Sequence, residues 1–160
     1  MTRLIRTQAL TAQGFALFGD VLDTSRGPDR MINAGLCGRH HDRAQLDFGP
    51  DGRAGVSIFD AVPRSLPYTL DLIERHPEGS QTFVPMTQNP FLVIVAESPD
   101  SPPLAFVTAP GQAISFHRGT WHGVLTPLHA PGLFAVIDRI GPTPNLEEHH
   151  FQTPWTIVAG

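Results

Sequence analysis

The sequence predicts a mainly β protein, a sandwich, jelly roll or barrel, with one short helix near its N-terminus. Three observations carry this. The chain spends 15 glycines and 16 prolines on 160 residues, more punctuation than long helices tolerate. Its apolar residues come in runs of strand length rather than at helical spacing. Between those runs stand clusters that either fix φ or permit a positive φ.

The helix is expected from Thr11 to Phe18, with Thr11 as cap, Phe15 and Phe18 three apart on one face, and Gly19 as the stop. Strands are expected at Val56 to Phe59, Gln81 to Pro85, Phe91 to Ala96, Leu104 to Thr108, Ala113 to His117, Gly123 to Leu125, Leu133 to Asp138 and Thr156 to Val158. Pro50-Asp51-Gly52, Ser98 to Pro103, Ala109-Pro110-Gly111, Ala130-Pro131-Gly132 and Gly141 to Pro144 supply the turns, and Asp23 to Arg30 reads as a loop. No stretch has the length and polarity of a linker and nothing repeats, so residues 1–160 are expected to form one domain.

Composition narrows the function. Fifteen acidic residues face 11 basic ones, for a net charge of -4 without a basic block, which argues against nucleic acid as a partner. All 11 cations are arginine; without lysine, Schiff-base chemistry and a Walker-type phosphate site are excluded. Cys37 is the single cysteine and cannot form an internal disulfide; it is expected to pack as a small hydrophobe. The opening Met1 to Arg6 lacks the apolar core of a secretory signal, and the runs Phe91 to Ala96 and Leu133 to Ile137 are too short to span a bilayer. These features predict a soluble chain with no membrane partner and a cytoplasmic address.

Two of the histidine neighbourhoods carry candidate chemistry. In Glu74-Arg75-His76-Pro77-Glu78-Gly79-Ser80-Gln81, extended backbone puts Glu74 and His76 on one face, and a turn at Pro77 to Gly79 brings Gln81 back beside them. In Gly111 to His122, a strand ends at His117, turns at Gly119 and presents His122. Imidazoles and a carboxylate can bind a divalent metal, with the Gln81 amide oxygen as a weaker donor. His40, His41, His149 and His150 are expected to be solvated, the latter two in a polar tail loop with Glu147 and Glu148, and Asp138-Arg139 is expected to be a local ion pair.

The spacing of Glu74-x-His76-x4-Gln81 and of Gly111-x5-His117-x-Gly119-x2-His122 resembles the two cupin motifs, with Glu74, Gln81 and His117 standing where cupins usually carry His, Glu and Pro. Those departures resemble one cupin family, the ureidoglycolate lyases. The likeness also covers Phe15-x2-Phe18-Gly19-Asp20-Val21, Ile32-Asn33-x-Gly35-Leu36, Arg39-His40-His41-Asp42, Phe83-x-Pro85-Met86, Trp121 and Ile137-Asp138-Arg139. It implies a cupin-type double-stranded β-helix, a homodimer, and cleavage of ureidoglycolate to glyoxylate and urea in allantoin breakdown. It further implies a divalent metal, nickel, held by Glu74, His76, Gln81 and His122, with Glu74, His76, His122 and His117 as catalytic groups. Asn33, Arg75, Arg118 and Arg139 are the expected substrate-binding residues, an arginine clamping the substrate carboxylate. A metal-free route with Glu74 as base and a histidine as acid, an oxygenase or isomerase on the same scaffold, and a non-catalytic carboxylate-binding module remain open at this point.

Overall fold

The computed structural model describes residues 3–160; Met1 and Thr2, part of the expected domain and of the signal-free opening, lie outside the described residues. In chain order the elements are β1 (Leu4–Ala9), α1 (Ala12–Phe15), β2 (Gly19–Leu22), β3 (Arg30–Ile32), β4 (Cys37–Arg39), β5 (Arg53–Asp60), β6 (Tyr68–Arg75), β7 (Gln81–Pro85), β8 (Phe91–Ala96), β9 (Leu104–Val107), β10 (Ala113–Phe116), β11 (Trp121–His122), β12 (Thr126–Pro127), β13 (Leu133–Ile140) and β14 (Glu147–Val158). The expected mainly β fold with an N-terminal helix is what the chain adopts, and its closed barrel matches a jelly roll of the cupin type.

A seven-stranded sheet runs β11-β6-β14-β1-β9-β8-β12, and an added β11–β8 pairing closes β11, β6, β14, β1, β9 and β8 into a ring. Each of those strands sends side chains into one buried cluster: Trp121, Tyr68, Leu70, Ile157, Ile5, Ala105 and Ile94 are among them. The opposite faces of β8 and β9 present Phe91, Val93, Val95 and Phe106 to a five-stranded sheet, β2-β10-β7-β13-β5, which answers with Phe83, Ile114, Phe116, Phe134 and Val136. Because β8 is covered on both sides, its sequence is an uninterrupted apolar run, Phe-Leu-Val-Ile-Val-Ala, without alternation. The candidate cluster described below sits in the second layer, where the ring and the five-stranded sheet meet.

The N-terminal helix is shorter than the expected Thr11 to Phe18. Thr11 caps it, its hydroxyl accepting from the Gly14 N–H at 3.0 Å, but only Ala12–Phe15 is helical. A turn closed by Phe18 N–H on Phe15 O then lets the chain enter β2 at Gly19, which lies so close to the Ser115 carbonyl of β10 that no Cβ would fit. Phe15 and Phe18 nevertheless face the same core, as their spacing requires.

Two other expectations are corrected. Gly123 to Leu125 is not a strand: it links the two-residue strands β11 and β12, which reach β8 on either side of it, while Gly123 N–H bonds the Ile94 carbonyl at 2.9 Å. The Glu147-Glu148-His149-His150 run is not a tail loop but the start of β14, which extends well before the expected Thr156 to Val158 and pairs with β6 across an irregularity between His150 and Trp155. Four polar residues in a row carry no alternation, so tertiary pairing with β6 decides their conformation. The strand β6 does alternate, with Tyr68 and Leu70 buried and Thr69 and Asp71 exposed. Among the described residues no helix is long and apolar enough to cross a membrane.

Phe15 is fully buried and its ring meets Phe18, Phe106 and Phe116 at centroid distances of 6.2, 5.9 and 6.0 Å. Replacing Phe15 with Ala is expected to cost about 3–5 kcal/mol, read as a lowered urea midpoint. A loss well under 1 kcal/mol would show that the N-terminal turn does not close this core.

Candidate active site

Glu74 is the penultimate residue of β6, and His76 follows the strand directly. His122 is the last residue of β11, registered opposite Glu74 on one side and Val95 on the other. The turn that precedes β11 is closed by Thr120 N–H on His117 O at 3.1 Å, with Gly119 at φ +79°, and Gly119 N–H bonds the His76 carbonyl at 2.9 Å. The two sequence blocks are thereby fastened to each other by backbone. One potential ligand atom from each of Glu74, His76 and His122 lies within 4.8 Å of the others, and the two imidazole centroids are 5.2 Å apart.

Both imidazoles are oriented by carbonyl groups. His122 Nδ1 bonds Gly123 O at 2.9 Å and His76 Nδ1 bonds Asn145 O at 2.7 Å. A carbonyl only accepts, so each Nδ1 carries a hydrogen, and in the neutral form of either ring the lone pair is on Nε2. Both Nε2 atoms are buried without a protein partner, as is Gln81 Oε1. Such orphans are rare in a well-packed interior and are what a metal or substrate would satisfy. Two imidazoles and one carboxylate form a donor set that fits a divalent metal.

The electrostatics agree. His122 is 2% exposed and stacks on Phe116 with 4.2 Å between ring centroids, and burial lowers its pKa from 6.5 to about 3. It is neutral at physiological pH. Burial raises the Glu74 carboxyl above its ordinary value; the neighbouring His76 opposes the rise, and Glu148, opposite Glu74 in β14, adds to it.

Gln81 opens β7 opposite Phe116 of β10 and Asp138 of β13. It shares a strand face with Phe83, and therefore points into the layer between the sheets. Its Nε2 donates to Asp138 Oδ2 at 3.1 Å. Asp138 and Arg139 are not the ion pair expected of them: as consecutive residues of β13 they face opposite ways, and Arg139 donates to Phe48 O and Thr143 Oγ1 at 3.0 and 2.9 Å.

The other candidates are placed as follows. Arg75, facing away from Glu74, binds Glu147 at 2.7 Å and lies 4.9 Å from the Trp121 ring centroid. Arg118 donates to Pro77 O at 2.7 Å and approaches Glu78 and Asp47 more loosely, at 3.4 and 3.7 Å. His117 is half-exposed, 3.5 Å from Asp20, and borders with Arg118 and Trp121 a groove of about 430 Å³. Asn33 sits exposed at the tip of the β3–β4 hairpin in the left-handed region, φ 54°. Asn145, Phe116 and Asp138 were not anticipated at the site. Asn145 holds His76 through its carbonyl and the Glu78 N–H through its side chain at 2.7 Å, across a separation of 69 residues that no local pattern signals.

A β barrel of the jelly-roll type that brings together a buried imidazole, a partly buried one, each oriented by a carbonyl, and a carboxylate defines a class of β protein whose cluster fits a divalent metal. A family model described as ureidoglycolate lyase matches residues 2–158. "Ureidoglycolate lyase" of Rhodobacter capsulatus is 57% identical over 160 residues, covering 98% of this chain and 99% of its own. "Ureidoglycolate lyase 2" of Rhizobium meliloti is 46% identical, covering 92% and 93%, and "Ureidoglycolate lyase" of Pseudomonas syringae pv. tomato is 40% identical, covering 98% and 95%. The chain belongs to the ureidoglycolate lyase family.

Because His122 takes up a proton at about pH 3 when folded and near 6.5 when unfolded, the unfolded state binds more protons between those values. Its contribution to stability is complete above that window and is lost as pH falls through it, at up to about 1.4 kcal/mol per pH unit. The urea midpoint of metal-free wild type minus that of His122→Phe should decrease from about pH 7 to pH 4, as wild type loses stability faster. A difference that stays constant with pH would mean His122 is not held neutral by burial.

Proposed function

We propose that this chain, as one domain over residues 1–160, splits ureidoglycolate into glyoxylate and urea. The observation that carries the reading is the convergence of Glu74, His76 and His122, with unpartnered Nε2 atoms, in a chain whose relatives are named for this lyase activity. The substrate bears a carboxylate, a hydroxyl and a ureido nitrogen on one carbon. Cleavage removes the hydroxyl proton, forms the aldehyde C=O, breaks the C–N bond and returns a proton to the departing nitrogen. No water or enzyme nucleophile is consumed.

Glu74 is the residue for the proton transfers. In the metal-free site burial raises its affinity for a proton, and a carboxylate has a second oxygen that can take the hydroxyl proton and deliver it to the urea nitrogen while the first faces an ion. The Nε2 atoms of His76 and His122, with a Glu74 oxygen and the Gln81 amide oxygen, would hold a divalent ion, and nickel suits this mixed nitrogen and oxygen set. When bound, the ion supplies Lewis acidity at the substrate hydroxyl and carboxylate. Of the three candidate arginines, Arg118 is the one for the substrate carboxylate: Arg75 is held by Glu147 at 2.7 Å and Arg139 by Phe48 O and Thr143 Oγ1, whereas the carboxylates near Arg118 stand 3.4 and 3.7 Å away and its turn is fastened to the His76 carbonyl. His117 lines the same groove and is assigned proton exchange with solvent.

The exposed apolar side chains Val56 and Ile58 on edge strand β5, with nearby Val62 (73, 59 and 81% exposed), support a homodimer. A single cysteine, with no disulfide possible within the chain, supports a cytoplasmic address.

Glu74→Gln is expected to lower kcat by about 10²–10⁴-fold with KM little changed, measured as glyoxylate and urea release. Ammonia release in place of urea, or oxygen uptake without glyoxylate, would reject the lyase reading. Chelation should abolish turnover and added nickel should restore it; equal rates with and without chelator would favour Glu74 and histidine acting without metal.

A further inference from the structure

We propose that Asp138 is a positioning residue that locks the Gln81 side chain with its amide oxygen, not its nitrogen, directed into the site; this rests on the lyase reading above.

A glutamine amide is nearly symmetric in shape, and its two ends differ only in whether they donate or accept. Left to itself in a cavity, Gln81 could present either. The Asp138 carboxylate, an acceptor when ionised, removes that freedom: the end that faces it must be the NH₂ group, and Nε2 donates to Oδ2 at 3.1 Å. The remaining end, Oε1, is buried and has no protein partner, on a residue only 6% exposed. Gln81 is opposite Phe116, and the Phe116 ring stacks on His122, so the unpartnered oxygen belongs to the same interior region as the histidine Nε2 atoms.

The strand register makes room for this. On β5 the residue opposite Asp138 is Gly55, which brings no side chain to that flank, while Arg139 is turned to the other face by the alternation of β13. The carboxylate thus meets Gln81 across the β13–β7 pair without an arginine to draw it away. An oxygen so fixed serves as an acceptor for the ureido N–H of the substrate or as a neutral oxygen donor to a divalent ion; both need Oε1, and neither can use Nε2.

The test is Asp138→Asn, a substitution of nearly equal volume whose amide can donate as well as accept. The NMR signals of the Gln81 NH₂ group, identified by their loss in Gln81→Glu, report the lock in metal-free protein without reference to turnover. In wild type they should show slowed solvent exchange, and in Asp138→Asn exchange should rise toward that of exposed glutamines. kcat/KM should fall about tenfold, the size of one misdirected hydrogen bond. The double variant Asp138→Asn/Gln81→Glu, in which either end of residue 81 presents oxygen, should recover activity relative to Asp138→Asn. Unchanged amide exchange and kcat/KM in Asp138→Asn overturns the proposal. So does a double variant that loses further activity, which is the behaviour of a merely structural contact. A wild-type protein that releases no urea from ureidoglycolate would reject the functional reading, while the amide exchange would still decide whether Asp138 holds Gln81.

Discussion

The two-residue strand β11 is the constraint on which the rest of the molecule depends. Through it, His122 pairs at once with Glu74 of β6 and Val95 of β8, and that pairing closes the ring of strands. Closure satisfies backbone groups that an open edge would leave unpaired. It also fixes the Glu74 carboxylate and the His122 imidazole of the candidate site as cross-strand neighbours, a few ångströms apart by sheet geometry alone. Assembly of the candidate site and barrel closure are therefore the same event. A sequence change that opened β11 would disturb both.

The second consequence is chemical. His122 is confined between the ring and the stacked Phe116, so its neutral form is strongly favoured, and the Gly123 carbonyl selects which nitrogen is free. His76, reached from a different strand end, has its Nδ1 held by the Asn145 carbonyl in the same way. Two independent backbone carbonyls thus leave two Nε2 atoms unpartnered at one region. Glu74 supplies the negative charge there, and burial keeps it a better proton acceptor than a surface carboxylate. Positive charge is kept at a distance, because Arg75 and Arg139 are turned outward by strand alternation and tied to other oxygens. The cluster is thereby suited to a divalent cation and its substrate rather than to an internal salt bridge.

Much of this was legible in the sequence, and the reasons are local. Glu74 and His76 two apart, a turn at Pro77 to Gly79, and His117-x-Gly119-x2-His122 are short-range patterns, and the strands Gln81 to Pro85 and Phe91 to Ala96 fall where their apolar runs end. The helix was overextended because its Phe15–Phe18 spacing survives in a tighter turn, while the need to enter β2 at Gly19 cuts the helix short. The β14 start was missed because Glu147 to His150 has no alternation of its own.

The sequence by itself determined the kind of fold, the two blocks that carry the site, and the family to which the chain is similar, because each rests on residues close together along the chain. Only the tertiary structure decided that His122 meets Glu74 in register and that Asn145 orients His76. It alone also placed Asp138 against Gln81 while its neighbour Arg139 faces the other way. Those choices depend on which strands pair and in what register, and a one-residue slip in that register would turn every such side chain to the opposite face.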